Sequence, residues 1–285
     1  MSAVKTQTKA TRMLVISRGA GGMNPDVEAK LRKAFADYLV LDFDPELDID
    51  KLVSSRARIV VAGGDGTVEF IVRKFADSKH PVGIVALGTF NNLARALGLP
   101  TDVDKAIEVA RAGRSRPITL GRVNGRIFLE ACAIGLFGET IALGDSAKDM
   151  EFGKLAAKLK DIVSARPFNY ELGGDLEGSG SAMSLVFSNT ATIGSLLRIS
   201  DARPIDPYLE FTVHAGRTRT DIVGRAIKSA LLLQRSEDGA QVFRFTKVEV
   251  KTRPRVRVYA DNFQVGRTPA TITAETSALK VLLPK

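Results

Sequence analysis

Five consecutive residues, Gly63-Gly64-Asp65-Gly66-Thr67, have the types and spacing to do chemistry on a phosphate. They follow the apolar run Arg58–Ala62, which reads as a buried strand, and precede Val68–Phe75, which reads as a helix. Glycines let the backbone turn sharply and let an anion approach without meeting a Cβ, and a helix N-terminus adds free N–H groups. An aspartate in such a loop would repel phosphate by itself. Its sensible use is to hold a phosphate-bound Mg²⁺ through oxygen, directly or through water. The plain alternative is a β-to-α turn in which Asp65 caps the helix. A second stretch has the same plan: Pro81–Leu87 reads as a strand, Gly88-Thr89 as a turn, and a helix starts at Asn91 and closes at Gly98-Leu99-Pro100. The Thr89 hydroxyl and Asn91 amide are placed to reach a ligand held by the first loop. Two such turns at neighbouring strand ends make the crevice where open α/β sheets bind ligands.

The surrounding elements fit that plan. Met13–Ser17 reads as a first strand, followed by the glycine-rich turn Arg18–Gly22. Asn24-Pro25 starts a helix through Tyr38, because Asn is a good N-cap and Pro suits the first helical position. Leu39–Phe43 is a further strand and Asp102–Ala112 a further helix. Strands alternating with helices predict a doubly wound, mostly parallel α/β nucleotide-binding domain over residues 1–117. The pattern changes at Arg116-Pro117. Ile118–Val123, Asn124-Gly125 and Arg126–Ala133 read as a hairpin, since Asn-Gly suits a tight type I′ turn. A charged helical region is expected over 138–164. Strand-like runs follow at 168–172, 182–188, 209–214, 242–251 and 256–260, with one helix over 220–234. Residues 118–273 are therefore expected to form a mainly antiparallel, sandwich-like β domain, with an inter-domain cleft. The apolar run Ala278–Leu283 is expected to return to the first sheet, adding residues 274–285 to the first domain.

Composition narrows the function. The 285 residues are 45% hydrophobic and 26% charged, a globular balance. Cys132 is the only cysteine, so no intrachain disulfide forms, and a reducing, cytoplasmic compartment fits. Between Ala131 and Ala133 it reads as a small buried hydrophobe. Two histidines, His80 and His214, leave little material for a zinc site or a histidine-based triad. The net charge of +9 favours anionic partners. The lack of tryptophan and the 6% aromatic content argue against base stacking, so nucleic acid is not an expected partner. Met1–Arg12 has no apolar segment behind it and does not read as a secretory signal, and no run approaches the length of a membrane span. Lys251, Arg253, Arg255 and Arg257 alternate as on one strand face, and would suit a peripheral contact with an anionic membrane surface or ATP phosphates.

The pairing of the first loop with Leu87-Gly88-Thr89, Asn91, Ala94-Arg95 and Gly98-Leu99-Pro100 resembles the diacylglycerol kinase and sphingosine kinase catalytic family, in its small bacterial form. Gly121-Arg122-Val123-Asn124-Gly125 and the ending Thr268-Pro269 with Ala278–Pro284 extend the resemblance nearly end to end. It implies an ATP- and Mg²⁺-dependent lipid kinase that transfers the γ-phosphate to a lipid hydroxyl. Gly63, Gly64, Gly66, Thr67, Gly88, Thr89 and Asn91 would bind the nucleotide, and Asp65 would organise the metal. Asp261 is the candidate for orienting or deprotonating the acceptor. Asp206 matches a region where small relatives hold a structural Mg²⁺, although Asp206-Pro207 also suits a plain turn.

Several positions depart from the family pattern. Asn92 and Thr119 stand where acids are expected, Val68-Glu69-Phe70 replaces a hydrophobic-Asn-Glu run, and Asn262 or Phe263 falls where relatives carry a Glu. Glu69 is a candidate stand-in. Two further readings stay open: a binding-only family member that lost its acids, and, more weakly, a soluble-metabolite kinase such as an NAD kinase, which shares the first loop.

Overall fold

The computed structural model describes residues 9–139, 166–193, 197–214 and 242–285. The helices expected over 138–164 and 220–234 lie outside these residues, apart from Gly138 and Glu139. The chain divides into two compact units, Met1–Ile118 with Ser277–Lys285, and Thr119–Thr276.

The first unit contains β1 (Ala10–Ile16), α1 (Pro25–Ala34), β2 (Leu39–Asp42), β3 (Val53–Gly63), α2 (Asp65–Phe75), β4 (Pro81–Ala86), α3 (Asn92–Ala96) and α4 (Val103–Ala112). Its strands are parallel in the order β2-β1-β3-β4. Ile59–Ala62 on β3 are wholly buried, as expected of a central parallel strand covered on both faces. Two of the helices, α1 and α4, start where side chains supply the missing acceptors. Asn24 Oδ1 accepts from Val27 N at 2.9 Å ahead of Pro25, and Asp102 Oδ1 accepts from Lys105 N at 3.0 Å. α4 lies so close to β4 that a Cβ on Gly83 would come within 3.0 Å of Ala110 backbone atoms. The strand order reverses between β1 and β3, so the loops leaving these strands diverge there and open a crevice.

The second unit contains two antiparallel sheets. Strands β5 (Arg114–Val123) and β6 (Arg126–Phe128) form the Asn124-Gly125 hairpin, and β7 (Ala131–Gly135) follows. Then come β8 (Phe168–Gly174), β9 (Gly178–Ala182), β10 (Ser184–Ser188), the short pair β11 (Thr192–Ile193) and β12 (Leu197–Arg198), β13 (Leu209–His214) and β14 (Val242–Phe245). The last are β15 (Lys247–Arg253), β16 (Arg257–Ala260), β17 (Phe263–Arg267) and β18 (Ala270–Leu283). One sheet runs β18-β15-β8-β9 and the other β14-β13-β10-β7-β16-β17. Val248, Val250, Ile272 and Phe168 from the first pack in one core with Cys132, Ile134, Phe187, Phe211 and Val258 from the second. This is a sandwich core.

Three expectations change. Arg126–Ala133 is two strands, not one, and breaks at Leu129-Glu130, whose amides are taken by Asp261. Residues 242–251 also divide between the two sheets. The crossing at Thr246 is pinned by the Asp175 carboxylate, which accepts from Thr246 N at 2.8 Å and Lys247 N at 2.9 Å. The basic stripe is not a single face. Lys251 and Arg253 are exposed on β15, which stops before Pro254, a residue with no N–H to continue the ladder, and Arg257 starts a strand of the other sheet. At the C-terminus, Lys280 and Val281 on β18 pair in parallel with Pro81 and Val82 on β4, and the residues that rejoin the first unit start at Ser277 rather than 274.

Candidate active site

Three turns converge at the C-terminal ends of the parallel strands β1, β3 and β4. Ser17 N donates to Ala62 O at 2.9 Å, Leu87 N to Gly63 O at 2.8 Å, and Gly22 N to Leu87 O at 2.8 Å. The fit is close: a Cβ on Gly63 would lie 3.0 Å from Ser17 Cβ, and one on Gly22 would lie 3.1 Å from Leu87 O. A Cβ on Gly66 would meet nothing within 4 Å, so the turn keeps open space on that side.

The helix α2 begins at Asp65 itself, with Gly64 as N-cap, and its apolar residues Val68, Ile71, Val72 and Phe75 are buried. The Asp65 carboxylate faces the neighbouring turn rather than its own helix. Oδ2 accepts from Phe90 N at 3.3 Å and Oδ1 from Asn92 N at 3.2 Å. Asp65 is half-buried, so it joins two loops while bordering the open side of the first. Gly88 is required there, because a Cβ would lie 2.5 Å from Asp65 Oδ2. The plain capping alternative is therefore replaced by a cross-tie between turns.

The remaining candidates separate. Gly63, Gly64, Gly66, Thr67, Gly88 and Thr89 are brought together at these strand ends. Asn91 is there too, but its side chain closes its own loop: Oδ1 accepts from Gly88 N at 2.8 Å and Nδ2 donates to Gly88 O at 2.9 Å. That closure holds Asn91 at φ +50° and leaves the amide a staple rather than a reaching arm. Glu69 forms an ion pair with Arg73 one turn along α2, at 2.7 Å. The glycine-rich turn after β1, expected only as a turn, is a third wall. Its signal was Gly19, Gly21 and Gly22 directly after a strand, and a Cβ on Gly21 would lie 3.9 Å from Thr89 Oγ1.

In the second unit, Asp261 is 8% exposed and sits at φ +51° in the turn between β16 and β17. Its Oδ1 accepts from Glu130 N at 2.8 Å and Ala131 N at 3.1 Å, and its Oδ2 from Leu129 N at 2.9 Å. This carboxylate fastens the start of β7. Thr119 Oγ1 donates to Asp206 O at 2.6 Å, and Asn189 Nδ2 donates to Thr119 O at 3.1 Å. The Asp206 carboxylate lies against the Arg203 guanidinium at 3.2 Å, and Asp206 N donates to Arg203 O. Asp206 thus has the partners of a turn residue, and no group of three or more His, Cys, Asp or Glu suited to a metal occurs among the described residues. Cys132 is fully buried, and its thiol is pushed far up by desolvation and then by the nearby Asp261 charge, which removes it as a nucleophile.

A parallel α/β unit with glycine turns at its switch point, joined in sequence to a β-sandwich, defines the class: a two-unit α/β-plus-β fold with a candidate crevice at the switch point. Comparison with known proteins sharpens this. The diacylglycerol kinase catalytic domain model matches residues 17–123. Diacylglycerol kinase of Mycobacterium tuberculosis is 31% identical over 243 residues, covering 80% of this chain and 77% of that protein. Diacylglycerol kinase of Bacillus subtilis is 27% identical over 237 residues, covering 80% and 78%. The fold also matches the crystal structure of a putative diacylglycerol kinase from Bacillus anthracis, with a TM-score of 0.72 and 21% identity over 97% of this chain and 98% of that one. The chain belongs to the diacylglycerol kinase catalytic family, and its two-unit architecture is that of its bacterial members.

Proposed function

We propose that the protein is an ATP- and Mg²⁺-dependent lipid kinase, transferring a γ-phosphoryl group to a lipid hydroxyl of the diacylglycerol or sphingoid type. The observation that carries this reading is the convergence of three glycine turns around a half-buried carboxylate, with open space beside Gly66. The turns offer backbone N–H groups and the positive end of α2 to phosphate oxygens. Each Asp65 oxygen accepts one backbone N–H and keeps a further lone pair for a water or a metal, so the residues present fit a hydrated cation. Bound Mg²⁺ supplies charge neutralisation along the phosphates. Gly64 and Gly66 let the phosphates approach the backbone, Thr67 and Thr89 offer hydroxyls, and Asp65 orients the cation while fixing the turn that carries Thr89. Asp261 and Asn91 act as positioning residues that hold loops.

The family, the net charge of +9 and the lack, among the described residues, of a helix able to cross a membrane support a protein that meets its substrate at a membrane surface from the cytoplasm. A second reading, a nucleotide- or lipid-binding member without turnover, draws on one observation. Asp261, the acid nearest the position of the expected acceptor base, is committed to three backbone amides.

Titration of Mg-ATP into the protein, with and without Mg²⁺, is paired with transfer of labelled phosphate to diacylglycerol and, separately, to sphingosine in mixed micelles. Mg²⁺-dependent binding with labelled lipid product is expected. Mg²⁺-dependent binding without any lipid product would leave the second reading, and no binding at any Mg²⁺ concentration would overturn the kinase reading.

A further inference from the structure

The resemblance puts a structural Mg²⁺ beside Asp206, in the loop between β12 and β13, and the residues present do not fit one. Magnesium and calcium take roughly six or more oxygen ligands, drawn from carboxylates, carbonyls and water. The segment 198–210 holds three acids, and each is matched with a different arginine. Asp201 pairs with Arg198, Asp206 with Arg203 at 3.2 Å, and Glu210 with Arg244 at 3.6 Å. The acids are divided among three side-chain cations rather than gathered around one ion, which agrees with the lack of a metal-suited cluster among the described residues.

The middle pair is the informative one. The Asp206 side chain is 15% exposed and that of Arg203 61%, so the acid is recessed and the guanidinium caps it from the solvent side. Arg203 Nη2 donates to Asp206 Oδ1 at 3.2 Å and Nε to Oδ2 at 3.5 Å, a two-point contact that covers both carboxylate oxygens. A divalent ion approaching this carboxylate would meet a permanent positive charge. The backbone carbonyls of the loop are engaged as well. Arg203 O accepts from Asp206 N at 2.9 Å, Pro204 O from Thr119 N at 2.7 Å, and Asp206 O from Thr119 Oγ1 at 2.6 Å.

What the loop holds is Thr119, the first residue of the second unit. The loop takes its amide and its hydroxyl, while Asn189 Nδ2 donates to its carbonyl at 3.1 Å. Every polar atom of this buried residue is thereby satisfied, and most of that work falls to the loop. The conformation around Asp206 therefore fixes the point in β5 where the chain enters the sandwich.

We propose that this loop carries its own cation: the Arg203 guanidinium does at Asp206 what a bound divalent ion would do, and Arg203 is a positioning residue that keeps Thr119 clamped without metal. The inference stands apart from the kinase reading, since it concerns residues 119 and 198–210 and needs no nucleotide. It reverses what should disturb the loop. A coordinated ion withstands salt and yields to a chelator, whereas an exposed guanidinium pair is indifferent to chelators and is screened by salt.

The test is a set of thermal melts of the full chain without nucleotide, in chelator and in excess Mg²⁺ or Ca²⁺, joined to hydrogen exchange at the Thr119 amide. Any shift produced by the cations should be the same in the parent and in Asp206→Asn. Arg203→Ser should melt about 2 °C lower and exchange the Thr119 amide about fivefold faster, the scale of one ion pair at a surface. Both deficits should narrow in high salt and be partly restored in Arg203→Lys, which keeps the charge but not the two-point contact. A midpoint raised by Mg²⁺ or Ca²⁺ in the parent and not in Asp206→Asn would overturn the proposal. So would Thr119 exchange left unchanged by Arg203→Ser, or a deficit in that variant that is indifferent to salt.

Discussion

Two aspartates in two different units use the same device with different outcomes. Asp65 and Asp261 each place a carboxylate against backbone amides of a neighbouring segment. Asp261 is buried, accepts three N–H groups at 2.8 to 3.1 Å, and stands inside a closed turn. Asp65 is half-buried, accepts two at 3.2 and 3.3 Å, and borders open space. Three short bonds commit a carboxylate to architecture. Two long ones position it and leave it able to take a cation. The comparison separates a residue that builds the fold from the one to which the proposed function assigns chemistry, although both are acids at family motifs.

The largest effect expected is on turnover at Asp65. Asp65→Asn keeps one oxygen and the shape of the cross-tie but removes the charge, and should lower phosphoryl transfer roughly 10²- to 10³-fold, with a small change in thermal midpoint. Asp65→Ala is the poorer probe, because it also releases the Phe90 and Asn92 amides. Asp261→Ala should behave in the opposite sense, costing about 3 kcal/mol of stability in urea unfolding by stranding three amides. If Asp261→Ala left the urea midpoint alone and removed only activity, the assignment of roles would reverse.

The glycines sharpen the same contrast. Gly88→Ala forces a methyl toward Asp65 Oδ2 and should weaken Mg-ATP binding through a displaced turn, while Gly66→Ala meets no protein atom. Any loss of nucleotide affinity in Gly66→Ala therefore reports phosphate in that space, read by calorimetry. The smallest effect belongs to Asp175. Its carboxyl lies below the ordinary range because it accepts from the Thr246 hydroxyl and then from the Lys247 and Thr246 amides. A lowered value in the fold means stability that is present above the unfolded pKa and lost as pH falls through the folded one. Asp175→Ala should thus be less stable than the parent at neutral pH, with the difference closing in strong acid, as followed by thermal melts.

The sequence displayed the first unit well because its signals are local. Buried runs mark β1, β3 and β4, glycines mark the turns after β1, β3 and β4, the caps Asn24 and Asp102 mark α1 and α4, and the apolar C-terminal run reads as a strand of the same sheet. The second unit was less legible because its breaks depend on distant partners. Nothing near Leu129-Glu130 announces that a carboxylate at position 261 will take their amides, and nothing near Thr246 announces Asp175. Without those partners, each region reads as one long strand. At the site, residue types identified the loops but not which atoms are spent. Asn91 looked like a ligand group until its amide was seen closing on Gly88, and the basic run from Lys251 to Arg257 looked continuous until it divided at Pro254.

The last strand bears on how the chain becomes a protein. The β4 edge of the parallel sheet is completed by residues 280 and 281, while its other strands are all made before residue 87. On a ribosome, the crevice-forming sheet would therefore wait with one edge open while the sandwich is synthesised, and long-range pairing of this kind is slow and exposed to misassociation. Removing residues 280–283 should harm the parallel α/β unit, whose other strands lie at the opposite end of the sequence.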